Sequence, residues 1–366
     1  MTGLQGQIAA GQVSASFSSR EREAPTPSWF TNLVRRLDLH EREVEIRRCF
    51  DMVCADSLRP GAGWSSLNID GTPVQFALSL VKGQRPAFEF IGEAFRSGMA
   101  YAERRGSGLE SMARLAETIG VKTELNIVRS HLAALGDDRT AGDCEDPAGA
   151  FWLGAAFESA GSASMTIYAN ARRGTEAARW KRLAEFAGSI ADADWPRVFA
   201  IAEAGDFKPL GAGARIRKER RPDLRVYFAA YGVKLQDYRR MYCEAGAGEP
   251  FDNALTVFFE TALGEDAAFP TRSAVFSFGS NGDGEWAPKL ELCGHCAWRT
   301  DDEAKMLCGT WLERMGMDAD VYRDAVRILT DDERRQQAGV HAYVGVGMRR
   351  DQPYASIYLN PGRSRL

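Results

Sequence analysis

A pair of strand-like runs with one oily and one polar-aromatic face recurs along this sequence. Each pair follows a stretch of helical periodicity, and the unit appears five times. The last pair, His341 to Pro361, shows the pattern best: two strands joined by the polar turn Arg350-Asp351-Gln352-Pro353. Alternate side chains of a strand share a face. One face carries Tyr343, Gly345, Gly347 and Arg349, then Tyr354, Ser356, Tyr358 and Asn360. The other carries Val344, Val346 and Met348, then Ala355, Ile357 and Leu359, and has to be buried. The polar-aromatic wall points to a cavity for a ligand that is anionic at one end and carbon-rich at the other.

The earlier units repeat this grammar. Helical spacing covers Trp29 to Leu58, about Glu93 to Arg104, Gly108 to Leu135, Thr175 to Ala191, Pro196 to Glu203, Leu235 to Glu244, Asn253 to Leu263, Asp302 to Gly316 and Asp320 to Leu329. Strand runs are expected at Trp64–Ile69 and Pro73–Val81, joined as a hairpin by Asp70-Gly71, with a third run at Ala87–Ile91. Further pairs are expected at Ala148–Glu158 with Ala163–Asn170, Leu210–Lys218 with Asp223–Ala230, and Arg272–Gly279 with Lys289–Trp298. The segments Arg59–Gly63, Gly136–Pro147 and Ser280–Pro288 read as breaks or loops, and residues 1–27 as a disordered lead-in to one domain over 28–366.

Strands joined by short turns are antiparallel. Five hairpins give about ten strands, and a ring of that size leaves more space than side chains alone would fill. The expected fold is therefore α+β: a ten-stranded antiparallel β-barrel with a polar lumen, its oily outer face covered by helices. Other hairpins carry matching polar faces: Gln75, Ala77 and Ser79; Thr166 and Tyr168; Arg225 and Tyr227; Lys289, Glu291, Cys293 and His295.

Composition narrows the function. The 366 residues carry a formal charge of −4, with 45% hydrophobic and 26% charged residues, values of a soluble globular chain. No apolar run reaches the roughly 18 residues of a membrane span, and no signal peptide is evident. The charge gives no reason to expect nucleic acid or a membrane surface as partner. Seven cysteines without framework spacing suit a reducing cytoplasm. Cys293-Gly294-His295-Cys296 invites a metal reading, but on a strand Cys296 would point away from Cys293 and His295, so no metal site is expected. The basic run Arg215 to Arg221 reads as a solvated strand end, and Asp301-Asp302 and Asp331-Asp332 as helix starts.

Asp70-Gly71-Thr72-Pro73-Val74-Gln75, Leu224-Arg225-Val226-Tyr227, Lys289-Leu290-Glu291 and the final hairpin, taken in order, resemble the PT-barrel (ABBA) aromatic prenyltransferases of the dimethylallyltryptophan-synthase type. The resemblance spans Trp29 to the C-terminus. It implies ααββ repeats and transfer of an allylic group, dimethylallyl or geranyl, from its diphosphate to an electron-rich aromatic acceptor in secondary metabolism. That acceptor would be indole-like or peptide-borne. No cofactor is implied and Mg²⁺ is not essential; the protein would be a cytoplasmic monomer or homodimer. On this reading Arg225, Lys289 and Arg349 bind diphosphate. Tyr168, Tyr227, Tyr343, Tyr354 and Tyr358 shield the allylic cation, and Gln75, Glu291 or His295 handles the acceptor proton. The sequence departs from the family at Gln75, where indole enzymes carry Glu, at Glu89, where an Arg is usual, and at Thr166, where a Lys is usual. Those three positions favour the alternative, a non-catalytic or diverged barrel that binds a prenyl or aromatic ligand; a hydrolase or cyclase on the same barrel is another.

Overall fold

The computed structural model describes residues 27–362 except 60–62, 96–97, 137–150, 159–160, 162, 172–173, 189–193, 206, 231–233, 263–273, 281–285, 331–338 and 350–351. The lead-in at 1–26, most of the 136–147 loop, Asp331-Asp332, the centre of the 280–288 turn and Arg350-Asp351 of the last turn lie outside these residues.

Ten strands close on themselves in the order β1-β10-β9-β8-β7-β6-β5-β4-β3-β2. They are β1 (Val74–Val81), β2 (Ala87–Gly92), β3 (Phe151–Phe157), β4 (Ser164–Asn170), β5 (Lys208–Ile216), β6 (Asp223–Ala230), β7 (Ala274–Ser280), β8 (Trp286–Cys293), β9 (His341–Arg349) and β10 (Gln352–Leu359). Every ladder is antiparallel, and pairing β1 with β10 leaves no strand edge open.

The side-chain period of two builds the oily annulus. Outward residues such as Phe76, Leu78, Phe90, Ile167, Phe228, Leu290 and Val344 are fully buried. They pack under α1 (Ser28–Arg36), α2 (Glu43–Cys54), α3 (Tyr101–Ile119), α4 (Lys122–Gly136), α5 (Glu176–Gly188), α6 (Trp195–Ala204), α7 (Leu235–Glu244), α8 (Glu249–Ala262), α9 (Gly294–Ala297), α10 (Asp301–Arg314) and α11 (Ala319–Leu329). Phe76 stacks on Phe88 with ring centroids 5.9 Å apart and meets Phe30 of α1 at 5.8 Å. Across the ring, Phe276 stacks on Phe228 at 4.9 Å. Each such side chain, taken out of water, contributes about 1.5–3 kcal/mol. The core is thus a shell outside the sheet.

The expected ring of helices and the polar lumen are both present, while four local expectations are corrected. Helical periodicity from Trp29 to Leu58 is broken at Asp38, which takes φ of 58°, between α1 and α2. Trp64–Ile69 is not a strand: β1 pairs with β2 instead. Local side-chain bonds win there, Asn68 Nδ2 donating to the Thr72 and Val74 carbonyls and Asp70 accepting from Thr72 N. The helix expected at Glu93 begins only at Tyr101, because Glu93 N still bonds to Pro73 O as a continuation of the β2 edge. β8 stops at Cys293, where α9 turns the chain. Asp301 also does more than start α10. It accepts from the backbone N–H groups of Val340 and His341 and lies 2.6 Å from His341 Nδ1, fixing the entry to β9.

Candidate functional site

Inward positions on the ten strands line two cavities of about 130 and 140 Å³ that meet inside the barrel. The first is cationic. Arg215 and Arg217 at the end of β5, Arg225 on β6, Lys289 on β8 and Arg349 on β9 line it, facing Glu89, Glu158 and Asp223. The second is mostly apolar, with Leu67, Ile91, Trp152, Leu210, Val275 and Tyr343, and its polar groups include Gln75 and Glu291. Tyr168, Tyr227 and Tyr358 line both. They form the partition: Tyr168 and Tyr227 have ring centroids 5.9 Å apart, and Tyr343 meets the Tyr358 ring edge-on at 6.3 Å. The expected five-tyrosine set therefore divides into three partition rings, Tyr354 in the cationic cavity and Tyr343 in the apolar one.

Register explains these meetings. Ser277, Lys289, Gly347 and Tyr354 lie on one rung of four adjacent strands. Gly347 is required there, since a Cβ would come within 2.5 Å of the Tyr354 ring. Gly279 likewise leaves space for Arg225, whose guanidinium a Cβ would meet at 3.0 Å.

The ionic wiring is specific. Lys289 Nζ lies 2.6 Å from Glu291 Oε1 and donates to Tyr358 Oη at 2.8 Å. Burial opposes the lysine charge, but Glu291 and the surrounding phenols outweigh it, and its pKa is raised. Arg225 Nη1 donates to Ser277 Oγ at 2.9 Å and has no carboxylate partner among the described residues. Arg349, 41% exposed, stands at the rim 3.7 Å from Glu158. Burial pushes the hydroxyls of Tyr168, Tyr227 and Tyr358 upward. Burial would do the same to Tyr354, but Arg225, Lys289 and Arg349 together outweigh it and hold that hydroxyl below its ordinary value.

Two of the three departures from the family pattern turn out to be one unit. Thr166 Oγ1 donates to Glu89 Oε1 at 2.5 Å, and Arg215 Nη2 binds Glu89 Oε2 at 2.6 Å. Glu89 is thus neutralised by Arg215. The third, Gln75, spends its amide nitrogen on Leu67 O and Asn68 Oδ1, which leaves its oxygen for a ligand.

Arg215 and Arg217 correct the reading of that basic run as solvated. The signal was present in the alternation Gly211, Gly213, Arg215, Arg217, in register with Arg225 through Gly213. Trp152 and the buried Glu93 were also missed. His295 is not gathered with Gln75 and Glu291: it sits on α9 and lines a third cavity with Trp64, Asn68, Tyr343 and Asn360. Cys296 does not point away. α9 brings donor atoms of Cys293, His295 and Cys296 within 4.8 Å of one another.

No protein-family model matches the chain, and no curated protein sequence matches it. Solved structures do. The chain superposes on 5-dimethylallyltryptophan synthase from Streptomyces coelicolor with a TM-score of 0.78 at 21% identity, covering 93% of this chain and 98% of that one. It superposes on PriB prenyltransferase, in ternary complex with L-tryptophan and dimethylallyl thiolodiphosphate, with a TM-score of 0.78 at 18% identity, covering 92% and 96%. For 6-dimethylallyltryptophan synthase from Micromonospora olivasterospora, in complex with DMASPP and Trp, the TM-score is 0.75 at 18% identity, covering 92% and 97%. This chain has the PT-barrel fold of those prenyltransferases.

Proposed function

We propose that the protein is an aromatic prenyltransferase that moves a dimethylallyl or geranyl group from its diphosphate to an electron-rich, indole-like aromatic acceptor, small or peptide-borne. The observation that carries this reading is the tyrosine partition between a cationic and an apolar cavity. The complexes of similarly folded proteins with tryptophan and a dimethylallyl thiolodiphosphate support it.

Arg225, Lys289 and Arg349, with Arg215 and Arg217, hold the diphosphate and stabilise the charge that builds on its oxygens as the allylic C–O bond breaks. The faces of Tyr168, Tyr227 and Tyr358 stabilise the resulting cation by about 0.5–2 kcal/mol each and keep water from it. The acceptor lies in the apolar cavity, its N–H or O–H held by the Gln75 oxygen. Its ring carbon forms the new C–C bond to the allylic cation. Glu291, which shares that cavity, then takes the proton from the arenium ion, and Lys289 stands by to balance the charge.

No metal is needed for these steps on this reading, because side-chain cations do the work of neutralisation. The reducing cytoplasm suits it, six of the described cysteines being free thiols. Incubation with dimethylallyl and geranyl diphosphates and a panel of aromatic acceptors, with EDTA and with Mg²⁺, should give an acceptor heavier by one prenyl unit in both cases. Product only with Mg²⁺ would remove the metal-free step. No product with any acceptor, together with tight donor binding, would move the protein to the non-catalytic alternative.

A further inference from the structure

The segment Cys293-Gly294-His295-Cys296 lies outside the two central cavities and has no part in the transfer chemistry above. β8 ends at Cys293, and α9 folds back at once. Gly294 permits that turn: a Cβ there would lie 1.9 Å from the carbonyl oxygen of His341 on β9, so a larger residue would push α9 away. The turn wraps the following residues around the Cys293 sulfur. His295 Nδ1 lies 3.0 Å from Cys293 Sγ, and the thiols of Cys293 and Cys296 and the His295 ring all fall within 4.8 Å of one another.

We propose that Cys293, His295 and Cys296 bind a borderline-soft divalent cation of the Zn²⁺ class, with one coordination position left open. Two sulfurs and one imidazole nitrogen are the donors such an ion prefers, and a tetrahedral ion with three protein ligands keeps its fourth place for water or another ligand. Magnesium and calcium, which take oxygen ligands, have no place in this set. Binding replaces the two thiol protons with two metal–sulfur bonds, and both protons go to solvent.

The position gives the site a meaning in the fold. His295 lines the outer cavity beside Tyr343, and Tyr343 also lines the apolar central cavity and meets Tyr358 of the partition. The ion would tie α9 to the end of β8, just behind the wall at that end of the lumen. The site does not depend on prenyl transfer: the cations of the other cavity lie at the far side of the tyrosine layer.

The test uses the full chain, reduced and stripped of metal, titrated with Co²⁺ without oxygen. One equivalent should produce a thiolate-to-cobalt charge-transfer band in the near ultraviolet with tetrahedral d–d bands, and Zn²⁺ should abolish both. Cys296→Ser and His295→Ala, both at half-buried positions on a short helix, should each weaken binding by more than the roughly 10–100-fold that losing an outer-shell partner costs. Cys243→Ser, at an exposed thiol elsewhere, should leave it unchanged. Absence of the charge-transfer band in the reduced parent overturns the proposal, as does Co²⁺ binding by Cys296→Ser as tight as that of the parent. A Cys293–Cys296 disulfide that resists reduction, seen by mass, also overturns it and makes the pair a covalent staple.

Discussion

Replacing Arg225 by alanine separates donor binding from stability, and the neighbouring Lys289 supplies the comparison. Arg225 is half-buried in the cationic cavity, with Ser277 Oγ as its hydrogen-bond partner at 2.9 Å and no carboxylate against it among the described residues. Its charge is therefore available to an incoming anion. A hydrogen bond to a charged group contributes about 1.5–3 kcal/mol. At about 1.4 kcal/mol per tenfold, Arg225→Ala should weaken the donor by roughly 10–150-fold. The folded state loses the charged donor to the buried Ser277 hydroxyl, about 1.5–3 kcal/mol, so melting should fall by a few degrees. Lys289→Ala is different. It leaves Glu291 buried without its ion-pair partner, which costs about 3–5 kcal/mol, and melting should fall well below that of Arg225→Ala. Calorimetric titration with a dimethylallyl thiolodiphosphate, paired with thermal unfolding, reads both quantities. The reasoning fails if Arg225→Ala binds the analogue as tightly as the parent, or unfolds as early as Lys289→Ala.

Gly347→Ala should drive a methyl into the Tyr354 ring and lower turnover by about 10–100-fold, with the far-ultraviolet dichroism of the barrel unchanged. An unaltered rate would show that the ring's position is immaterial. Glu93 is buried, accepts from Ser65 Oγ at 2.6 Å and lies 3.7 Å from Arg104; burial raises its pKa despite both neighbours. A raised acid costs the fold stability once it ionises, so the parent should lose stability as pH climbs above about 4, the ordinary glutamate range. Glu93→Gln lacks that slope, and its melting temperature should gain on the parent's towards neutral pH; parallel curves would refute the assignment.

The alternation in the final hairpin was enough to place Tyr354, Tyr358 and Arg349 on the inner face, because a strand's two-residue period survives any change of partner. Closure was legible for the same reason: every strand pair needed a cover for its oily face and none had a second oily face to offer. What escaped depends on where strands stop. Arg215 and Arg217 are inward, but Lys218 and Glu219 just beyond are exposed, and sequence does not mark the change. Asp70-Gly71 has the letters of a hairpin turn, yet Asn68 and Asp70 capture the backbone and Gly71 (φ 76°) turns against the Trp64 ring instead. Extending the β8 alternation past Cys293 put Cys296 on the wrong side, since one helical turn replaces a period of two with 3.6.

The location of the oily shell has a consequence for change over time. Most of the burial that keeps this chain folded lies between sheet and helices, whereas Ile91, Trp152, Leu210 and Val275 face a space. Exchanging those side chains re-tailors the chamber without unpicking the seal around it. The wall can be rewritten one rung at a time, so a lineage built on this barrel can change what its chamber admits while its scaffold stands still.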